Sequence, residues 1–365
     1  MQAPNSGGDY CRHGPSHSAD AHVQGLPAEI AERAVRREEN VAAAALRLTF
    51  AVADYPHTAA LKSGAIRFEG IEPQFADVKP QIAAYRRMVR QVEFDVCELA
   101  PTTYIIARAY NAPFVALPIF VMRRFHHSGL LVRPDAGIAK PKDLEGKKVG
   151  VRAYSVTTGV WTRGILIDEY GLDSSKVTWV VDDEEHVLEL KLPGNVIHAP
   201  EGRSLADMMA AGELQAGFDA NAGIGRAGPP VAGWEKTPVP ASNYPDLFPN
   251  AELVEADWYR RTGIYPMHGT IVVKESVLKE HPWVARSIAD AYQAAKDEWL
   301  AKLKSGKAEP ADKKYVALSK IVGSDPLPYG LEANLPTIRA LEDTAFKQKL
   351  TPRRMSIEEL FVNPK

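Results

Sequence analysis

The chain has 365 residues, of which 45% are hydrophobic and 25% are charged. This composition is typical of a globular protein, and the length exceeds what one ordinary core holds, so two lobes are expected. A formal net charge of -2 gives no reason to expect nucleic acid or an anionic membrane as a partner, and no apolar run in the sequence is long enough to span a bilayer.

The sequence contains two cysteines, Cys11 and Cys97, which lie far apart. This is not a disulfide framework, and it fits a reducing compartment. Cys97 lies in an apolar segment, where a buried, inert thiol is expected. Residues 41–53 resemble the apolar core of a secretion signal but lie too deep in the chain to act as one. The sequence therefore predicts a cytoplasmic protein.

Residues 1–45 are rich in Gly, Pro, Ser, His and charged side chains and show little periodicity. They predict a mobile, extended tail that could hold one short helix at Ala28–Glu39. The tail histidines His13, His17 and His22 are metal-ligand types, but a flexible polar tail favours no bound metal.

From Leu46 onward strands alternate with helices, which predicts a mostly parallel sheet covered on both faces. Residues 220–250 are dense in Gly, Pro and Ala and predict a long irregular segment. The predicted strands are Leu46–Ala53, Phe75–Val78, Phe94–Leu99, Phe114–Phe120, Lys147–Val151, Val177–Val181, Gln215–Asp219 and Gly269–Val273. The predicted helices are Thr58–Ser63, Ile82–Gln91, Thr102–Tyr110, Thr157–Tyr170, Leu205–Ala211, Trp283–Lys304, Lys313–Ile321 and Ala333–Gln348.

The turn between Lys147–Val151 and Thr157–Tyr170 is rich in hydroxyl groups. Such a strand-to-helix turn presents unpaired backbone N–H groups and the positive end of the helix dipole. The side chains of Ser155 and Thr157 add hydroxyl donors. The turn therefore predicts a seat for a carboxylate or phosphate, with a plain helix cap as the alternative.

Polar residues also follow several other predicted strands, as expected for the lining of a cleft between two lobes. Ligands of open α/β sheets bind beyond the carboxyl ends of the strands. These ends are residues 54–57, 98–104, 119–124, 152–158 and 219–221.

Several sequence blocks, in this order, resemble the 4,5-dihydroxyphthalate decarboxylase family, which is built on the type II periplasmic solute-binding fold. The blocks are EFDVCELAPTTY (Glu93–Tyr104), PFVALPIF followed by RRFHHS (Pro113–Ser128), KKVGVRAYSVTTGVWTRGIL (Lys147–Leu166), GRSLADMMAAGEL (Gly202–Leu214), RRTGIYPMH (Arg260–His268), HPWVARS (His281–Ser287) and PLPYGLEAN (Pro326–Asn334).

The resemblance implies an α/β, two-lobed, periplasmic-binding-protein-like (type II) fold with a ligand cleft between the lobes. The chain would cross between lobes near Phe125–Leu130 and Gly263–Gly269. Lobe one would then be residues 46–125 plus 268–365, and lobe two residues 126–267. Hinge closure over a ligand is the motion that such a fold supports.

The resemblance further implies decarboxylation of a dihydroxylated aromatic dicarboxylate. The ring carbon that loses carbon dioxide must accept a proton, and a hydroxyl para to it can push electron density there. The enzyme then needs cations for the carboxylates, partners for the phenols and a proton donor, but no electron-sink cofactor. The absence of a dinucleotide glycine fingerprint and of a P-loop from the sequence agrees with this expectation.

Arg123 and Arg163 are the expected carboxylate clamps, because a guanidinium binds a carboxylate with two parallel hydrogen bonds. Of the adjacent Arg123 and Arg124, one should face the cleft, and the family pattern puts its arginine at 123. The alternative for each clamp is a surface ion pair.

His127 and His268 are the expected proton-transfer residues, because histidine titrates near neutral pH. His126 and His127 should point to opposite faces, which argues against a paired metal site. A divalent ion held with Glu98 or Asp219 is the alternative, and His268 could instead be a structural histidine.

Further contacts with the substrate are expected from other residues near the predicted strand ends. Asp54 and His57 would meet the phenol hydroxyls, and Tyr154 would stack on the ring. The acidic run 182–185 with His186 is expected to be a solvated loop rather than a metal site. A second carboxylate would be held by Thr102, Thr103 and Tyr104, and the anion seat of the turn would use Ser155 and Thr157.

Together these expectations describe a cytoplasmic, cofactor-free decarboxylase that converts 4,5-dihydroxyphthalate to 3,4-dihydroxybenzoate and carbon dioxide. The expected partner is a small aromatic carboxylate, with neither nucleic acid nor membrane, and a homo-oligomer is possible. Two alternatives stay open: a solute-binding protein that holds an aromatic acid without turnover, and a decarboxylase of another hydroxybenzoate.

Overall fold

The computed structural model describes residues 45–225 and 243–364. The predicted tail and its helix at Ala28–Glu39 lie outside the described residues. The strands are β1 (Leu46–Ala51), β2 (Ile71–Phe75), β3 (Val96–Leu99), β4 (Phe114–Arg123), β5 (Leu130–Val132), β6 (Lys148–Gly150), β7 (Thr178–Val181), β8 (Val196–His198), β9 (Ala216–Phe218) and β10 (Met267–Lys274).

Eleven α-helices occur in the described parts of the chain. None of them is long and apolar enough to cross a membrane. They are α1 (Ala59–Lys62), α2 (Gln81–Gln91), α3 (Pro101–Ala109), α4 (Thr157–Tyr170), α5 (Leu205–Ala210), α6 (Ala251–Thr262), α7 (Glu275–Glu280), α8 (Val284–Lys304), α9 (Lys313–Val322), α10 (Leu335–Lys347) and α11 (Ile357–Leu360).

The strands form two five-stranded sheets. The first has the order β2-β1-β3-β10-β4, and the second has the order β5-β9-β6-β7-β8. The chain passes from the first sheet to the second between β4 and β5, and it returns between β9 and β10. Most neighbouring strands are parallel, as expected, but β10 runs antiparallel to both β3 and β4, and β5 runs antiparallel to β9.

Strand β4 is buried along nearly its whole length although it is the last strand of its sheet. The C-terminal segment covers its free edge, because Phe361 forms a bridge with Ala116 and the Val362 amide donates to the Ala116 carbonyl at 2.9 Å. Covering an edge strand in this way removes an exposed template for pairing with another chain.

The second strand was predicted at Phe75–Val78 but lies at Ile71–Phe75. Pro73 in this segment argues against a central strand, yet β2 is the outermost strand, where a missing N–H is tolerated. Pairing of Ile71 with Leu46 fixes its register on β1. The helices α6 and α7 were not predicted.

Helix α4 is buried on every side from Thr157 to Leu166, so its sequence lacks a polar face over that span. It packs against α3 and α10. The indole of Trp161 donates to the Met267 carbonyl of β10 at 3.2 Å, and Thr162 donates to the His126 carbonyl at 2.9 Å. The helix is therefore bonded both to the segment that leaves β4 and to the start of β10.

Gly164 makes the contact between α4 and α10 possible. A Cβ at this position would lie 2.7 Å from Cγ2 of Thr344. We expect Gly164→Ala to lower the free energy of unfolding by about 1–3 kcal/mol, because the two helices would be forced apart. Gly194→Ala is the control, since a Cβ at Gly194 has nothing within 4 Å. Urea unfolding of both variants tests this, and equal stability would contradict the packing described.

Candidate functional site

The antiparallel pairing of β4 with β10 brings the end of one strand beside the start of the other. Met267 pairs with Arg123, and the Arg124 amide donates to the Pro266 carbonyl at 3.3 Å, so the chain that leaves β4 passes the start of β10. His126, three residues beyond β4, and His268, the second residue of β10, lie near this junction with ring centroids 5.3 Å apart. Both ring nitrogens of His126 and Nδ1 of His268 are buried without a hydrogen-bond partner among the described residues. Buried polar atoms of this kind mark a site that a ligand or water completes.

Two positively charged side chains act on these rings, since the charge of Arg124 lowers the pKa of both and the charge of Lys314 lowers the pKa of His268. Arg124 donates a hydrogen bond to the Thr158 hydroxyl in the first turn of α4. The Nζ atom of Lys314, on α9, lies 4.7 Å from the ring centroid of Tyr315. Within the described residues, neither cation forms an ion pair with a carboxylate. Arg124, His126, His268 and Lys314 are called the Arg–Lys–His cluster below.

The cluster is electrostatically unbalanced. Burial lowers the pKa of His126 and of His268 well below the usual value, and the charge of Arg124 lowers both further. Burial also lowers the pKa of Lys314, and the charge of Arg124 adds to that effect. Both imidazoles are therefore neutral near pH 7, and the like charges of Arg124 and Lys314 repel. Such a site favours a bound anion.

His57 extends the cluster on one side. Its ring is buried and stacks on Tyr55 at 5.2 Å, with Trp299 at 5.4 Å and the edge of Tyr315 at 5.7 Å. Burial, followed by the charge of Lys314, lowers the pKa of His57 to about 3. A neutral imidazole in this position can accept a proton from a hydroxyl group.

Asp54 does not join His57. Its side chain is exposed and forms an ion pair with Lys62 at 2.5 Å. The Asp54 carboxylate is thus paired with a lysine at the surface, and its expected contact with a phenol stays a prediction.

Glu98 lies behind the cluster and is fully buried. Its carboxylate accepts hydrogen bonds from the hydroxyls of Tyr55 (2.6 Å) and Tyr85 (3.2 Å) and from the Ala53 amide (3.0 Å). A Cβ on Gly269 would lie 2.8 Å from Oε1, so glycine is required there. Burial raises the pKa of Glu98 against these three donors. In residues 45–225 and 243–364, no three His, Cys, Asp or Glu side chains are arranged to hold a metal ion.

The turn before α4 holds a carboxylate, as the sequence predicted, but the carboxylate is that of Glu185 in the chain itself. The amides of Tyr154 (2.6 Å) and Ser155 (3.2 Å) and the Ser155 hydroxyl donate to it. Thr102 donates to the Ser155 carbonyl at 2.9 Å and contacts the Thr157 hydroxyl at 2.7 Å. Tyr154, Ser155, Thr157 and Thr102 therefore contact one another or Glu185, rather than standing free for a ligand.

Both expected arginine clamps are used for internal contacts. Arg123 donates to the Tyr265 carbonyl at 2.6 Å and to the Asn334 side chain, and it is 2% exposed. Arg163 donates to Gln348 at 2.8 Å and to the Tyr154 carbonyl, with its guanidinium 3.9 Å from the Tyr154 ring centroid. The guanidinium of Arg123 is thus bonded to the interior, whereas that of its neighbour Arg124 donates to Thr158, and the clamp roles stay predictions.

His127 points away from His126, as the alternation predicted, but His127 is the one outside the cluster. Its ring packs edge-on against Trp258 (5.2 Å) and Phe248 (5.9 Å). Burial lowers its pKa to about 4. The expected proton-transfer role of His127 is not supported by these contacts, whereas His268 lies in the cluster together with His126.

The acidic run is not a solvated loop. Asp183 and His186 are buried. Arg86 of α2 pairs with Asp183 at 2.7 Å, and the hydroxyl of Thr103 on α3 lies 3.0 Å from Nδ1 of His186. This segment follows β7 of the second sheet, and it contacts α2 and α3, the helices that precede and follow β3 of the first sheet. Thr103 is thereby part of an interlobe contact.

Comparisons with known proteins match this architecture. A family profile described as ABC transporter, phosphonate, periplasmic substrate-binding protein matches residues 75–223. A 4,5-dihydroxyphthalate decarboxylase of Comamonas testosteroni is 30% identical over 329 residues, which cover 87% of this chain and 96% of that protein. The chain belongs to the 4,5-dihydroxyphthalate decarboxylase family.

A second member of the 4,5-dihydroxyphthalate decarboxylase family, from Pseudomonas putida, is 34% identical over 223 residues, covering 59% of this chain and 82% of that protein. Among solved structures, the alkanesulfonate-binding protein of Xanthomonas axonopodis pv. citri aligns with a TM-score of 0.47 and 13% identity, over 87% of this chain and 98% of that chain. The expected family is confirmed by its 30% identical relative, and the expected α/β fold is confirmed by the two five-stranded sheets together with the periplasmic substrate-binding profile.

Sequence reasoning missed three of the four members of the cluster. Arg124 and His126 were each considered beside a neighbour, and the neighbour was preferred. Alternation separates the side chains of adjacent residues, but it does not tell which of the two faces the cluster. Lys314 is one of many lysines on predicted helices, and no local pattern marks it.

Glu255 of α6 gives a measurable pH effect beside the cluster. Burial raises its pKa to about 7, while the His127 amide donates to it at 3.3 Å. Because the folded state holds this proton more tightly than the unfolded state, the free energy of unfolding should fall as the pH rises from about 4.5 to 7. We expect Glu255→Gln to lack that fall, by about 1 kcal/mol or more. Urea unfolding across this range tests it, and parallel curves for both proteins would contradict it.

Proposed function

We propose that this protein decarboxylates 4,5-dihydroxyphthalate, without oxidation, to 3,4-dihydroxybenzoate and carbon dioxide in the cytoplasm. The observation that carries the proposal is the Arg–Lys–His cluster, in which two unpaired cations lie beside two neutral imidazoles. A dicarboxylate would neutralise the cations. The family relationship supplies the reaction class, because the relatives from Comamonas testosteroni and Pseudomonas putida are named for this activity.

The reaction exchanges a carboxylate for a proton at one ring carbon. The bond from that carbon to the carboxylate breaks, its electron pair stays on the ring, and the carbon then takes a proton. The neutral His57, whose ring nitrogens have no hydrogen-bond partner among the described residues, can accept a hydrogen bond from the hydroxyl para to the reacting carbon, which increases the electron density at that carbon. The proton that the ring carbon takes must come from another group.

The histidines of the cluster can supply the proton once substrate is bound. Without an anion, burial and, to a smaller extent, the charge of Arg124 keep the pKa values of His126 and His268 low. A bound dianion offsets that charge, so the pKa of an imidazole beside it should rise, and it can take up a proton. The protonated imidazole would then lie beside the ring carbon that needs it.

Turnover is the first test. Purified protein mixed with 4,5-dihydroxyphthalate should release carbon dioxide and form 3,4-dihydroxybenzoate in equal amounts. Tight binding without turnover would contradict the proposal and favour a solute-binding protein. Turnover of another hydroxybenzoate but not of this substrate would retain the enzyme class and reject the substrate.

The adjacent histidines provide a matched pair of variants. We expect His126→Gln to lower kcat by about 100-fold or more, since a proton-transfer group is lost. His127→Phe should leave kcat within about threefold, because the His127 ring packs among aromatic side chains and its nitrogens have no hydrogen-bond partner in the described structure. Thermal melting of both variants controls for folding. The opposite order of effects would return the catalytic role to His127.

A further inference from the structure

The ring of His57 is surrounded by aromatic side chains from three parts of the chain. Tyr55 stacks on it with ring centroids 5.2 Å apart, Trp299 of α8 lies at 5.4 Å, and Tyr315 of α9 lies edge-on at 5.7 Å. Trp299 and Tyr315 also contact each other edge to face at 5.0 Å. These four side chains are called the aromatic box below. Within it, His57 is 1% exposed and Tyr315 is 0% exposed.

Hydrogen bonds within the chain satisfy two members of the aromatic box but not the other two. The indole of Trp299 donates to Asp312 at 2.9 Å, and the hydroxyl of Tyr55 donates to Glu98 at 2.6 Å. In the described residues, both ring nitrogens of His57 and the hydroxyl of Tyr315 are buried without a hydrogen-bond partner. A buried polar atom without a partner destabilises the folded state, so these three atoms mark positions that a ligand or water completes.

Tyr55 connects the aromatic box to the strands beside which His268 lies. Its hydroxyl is 3.9 Å from Sδ of Met122 on β4. The Glu98 oxygen that accepts from this hydroxyl would lie 2.8 Å from a Cβ on Gly269, the residue after His268 in β10. The box therefore packs against the same ends of β4 and β10 as the Arg–Lys–His cluster.

The two unsatisfied groups suit a pair of adjacent hydroxyls. Burial lowers the pKa of His57 to about 3 and raises the pKa of Tyr315, so both groups are neutral near pH 7. A neutral imidazole accepts a hydrogen bond at one ring nitrogen, and a protonated phenol donates one. One hydroxyl of a dihydroxylated ring can thus donate to His57 while the other accepts from Tyr315.

We propose that Tyr315 binds the second hydroxyl of the substrate, the one para to the carboxylate that is retained, and thereby makes the site specific for a dihydroxylated ring over a monohydroxylated one. This inference rests on the proposed function, in which His57 binds the hydroxyl para to the departing carboxylate. In the product, 3,4-dihydroxybenzoate, the hydroxyl on Tyr315 is the 4-hydroxyl and the hydroxyl on His57 is the 3-hydroxyl.

The product and 3-hydroxybenzoate differ only in the hydroxyl assigned to Tyr315. Calorimetric titration of wild type with both ligands should show about tenfold tighter binding of 3,4-dihydroxybenzoate, the effect of one buried hydrogen bond. In Tyr315→Phe the Kd for 3,4-dihydroxybenzoate should rise by about tenfold, and the Kd for 3-hydroxybenzoate should stay within about twofold, because only the first ligand loses a bond.

Tyr315→Phe should be as stable as wild type or more stable. The substitution keeps the ring and removes an oxygen that has no partner in the described part of the protein. Thermal melting without ligand measures this. A clearly lower melting temperature would mean that the hydroxyl is bonded inside the protein, and it would overturn the inference.

Tyr329→Phe is the matched control. The Tyr329 hydroxyl is likewise buried without a partner among the described residues, but its ring lies under the ammonium group of Lys296 at 4.3 Å. Its removal should leave the Kd values for both ligands as in wild type. Loss of the preference for 3,4-dihydroxybenzoate in Tyr329→Phe, with the preference kept in Tyr315→Phe, would assign the second hydroxyl to Tyr329 and overturn the inference.

Failure of the proposed function gives a different result, because binding is measured without turnover. If wild type releases no carbon dioxide but Tyr315→Phe loses the preference for 3,4-dihydroxybenzoate, the hydroxyl contact is supported and the decarboxylase is not. An unchanged preference in Tyr315→Phe, or no preference in wild type, overturns the inference whether or not the protein is active.

Discussion

The antiparallel insertion of β10 between β3 and β4 is the constraint on which the site depends. It places His268 of β10 beside the chain that leaves β4, where the ring centroid of His126 lies 5.3 Å from that of His268. Helix α4 holds this junction through Trp161 and Thr162, which bond to backbone carbonyls on both sides of it. The sheet order therefore creates the chemical centre, and the buried helix keeps its parts in place.

The Arg–Lys–His cluster differs from other charged groups of the molecule, several of which have a partner within the chain. Arg86 is paired with Asp183, and the helix-terminal seat before α4 is filled by Glu185. Arg123 and Arg163 donate hydrogen bonds to backbone carbonyls and side-chain amide oxygens of the interior. Within the described residues, Arg124 and Lys314 lie at the cleft without such a carboxylate. An external dianion is the partner that this arrangement fits, and it accounts for why neutral histidines sit beside permanent cations.

Much of the fold could be predicted from the sequence, because strand and helix periods are local properties. The turn before α4 was predicted to hold a carboxylate or phosphate of a ligand, and in the structure its donors bind the carboxylate of Glu185 instead. The site was predicted less well, since Arg123 and Arg124 differ only in direction, and that direction is set by Tyr265 and Asn334, far away in sequence. The choice between His126 and His127 likewise depends on the aromatic side chains of α6 and its preceding loop. Lys314 gains its environment wholly from tertiary structure.

The central claim is that burial, together with the unbalanced positive charge beside them, keeps the histidines neutral until a dianion binds. Calorimetric titration with benzene-1,2-dicarboxylate, which lacks the hydroxyls needed for reaction, tests this directly. The titration is repeated near pH 7 in buffers of different ionisation enthalpy, at a pH well above the pKa values of the ligand's own carboxyls. We predict binding with net uptake of protons by the protein. Binding without proton uptake, or no binding at all, would contradict the account.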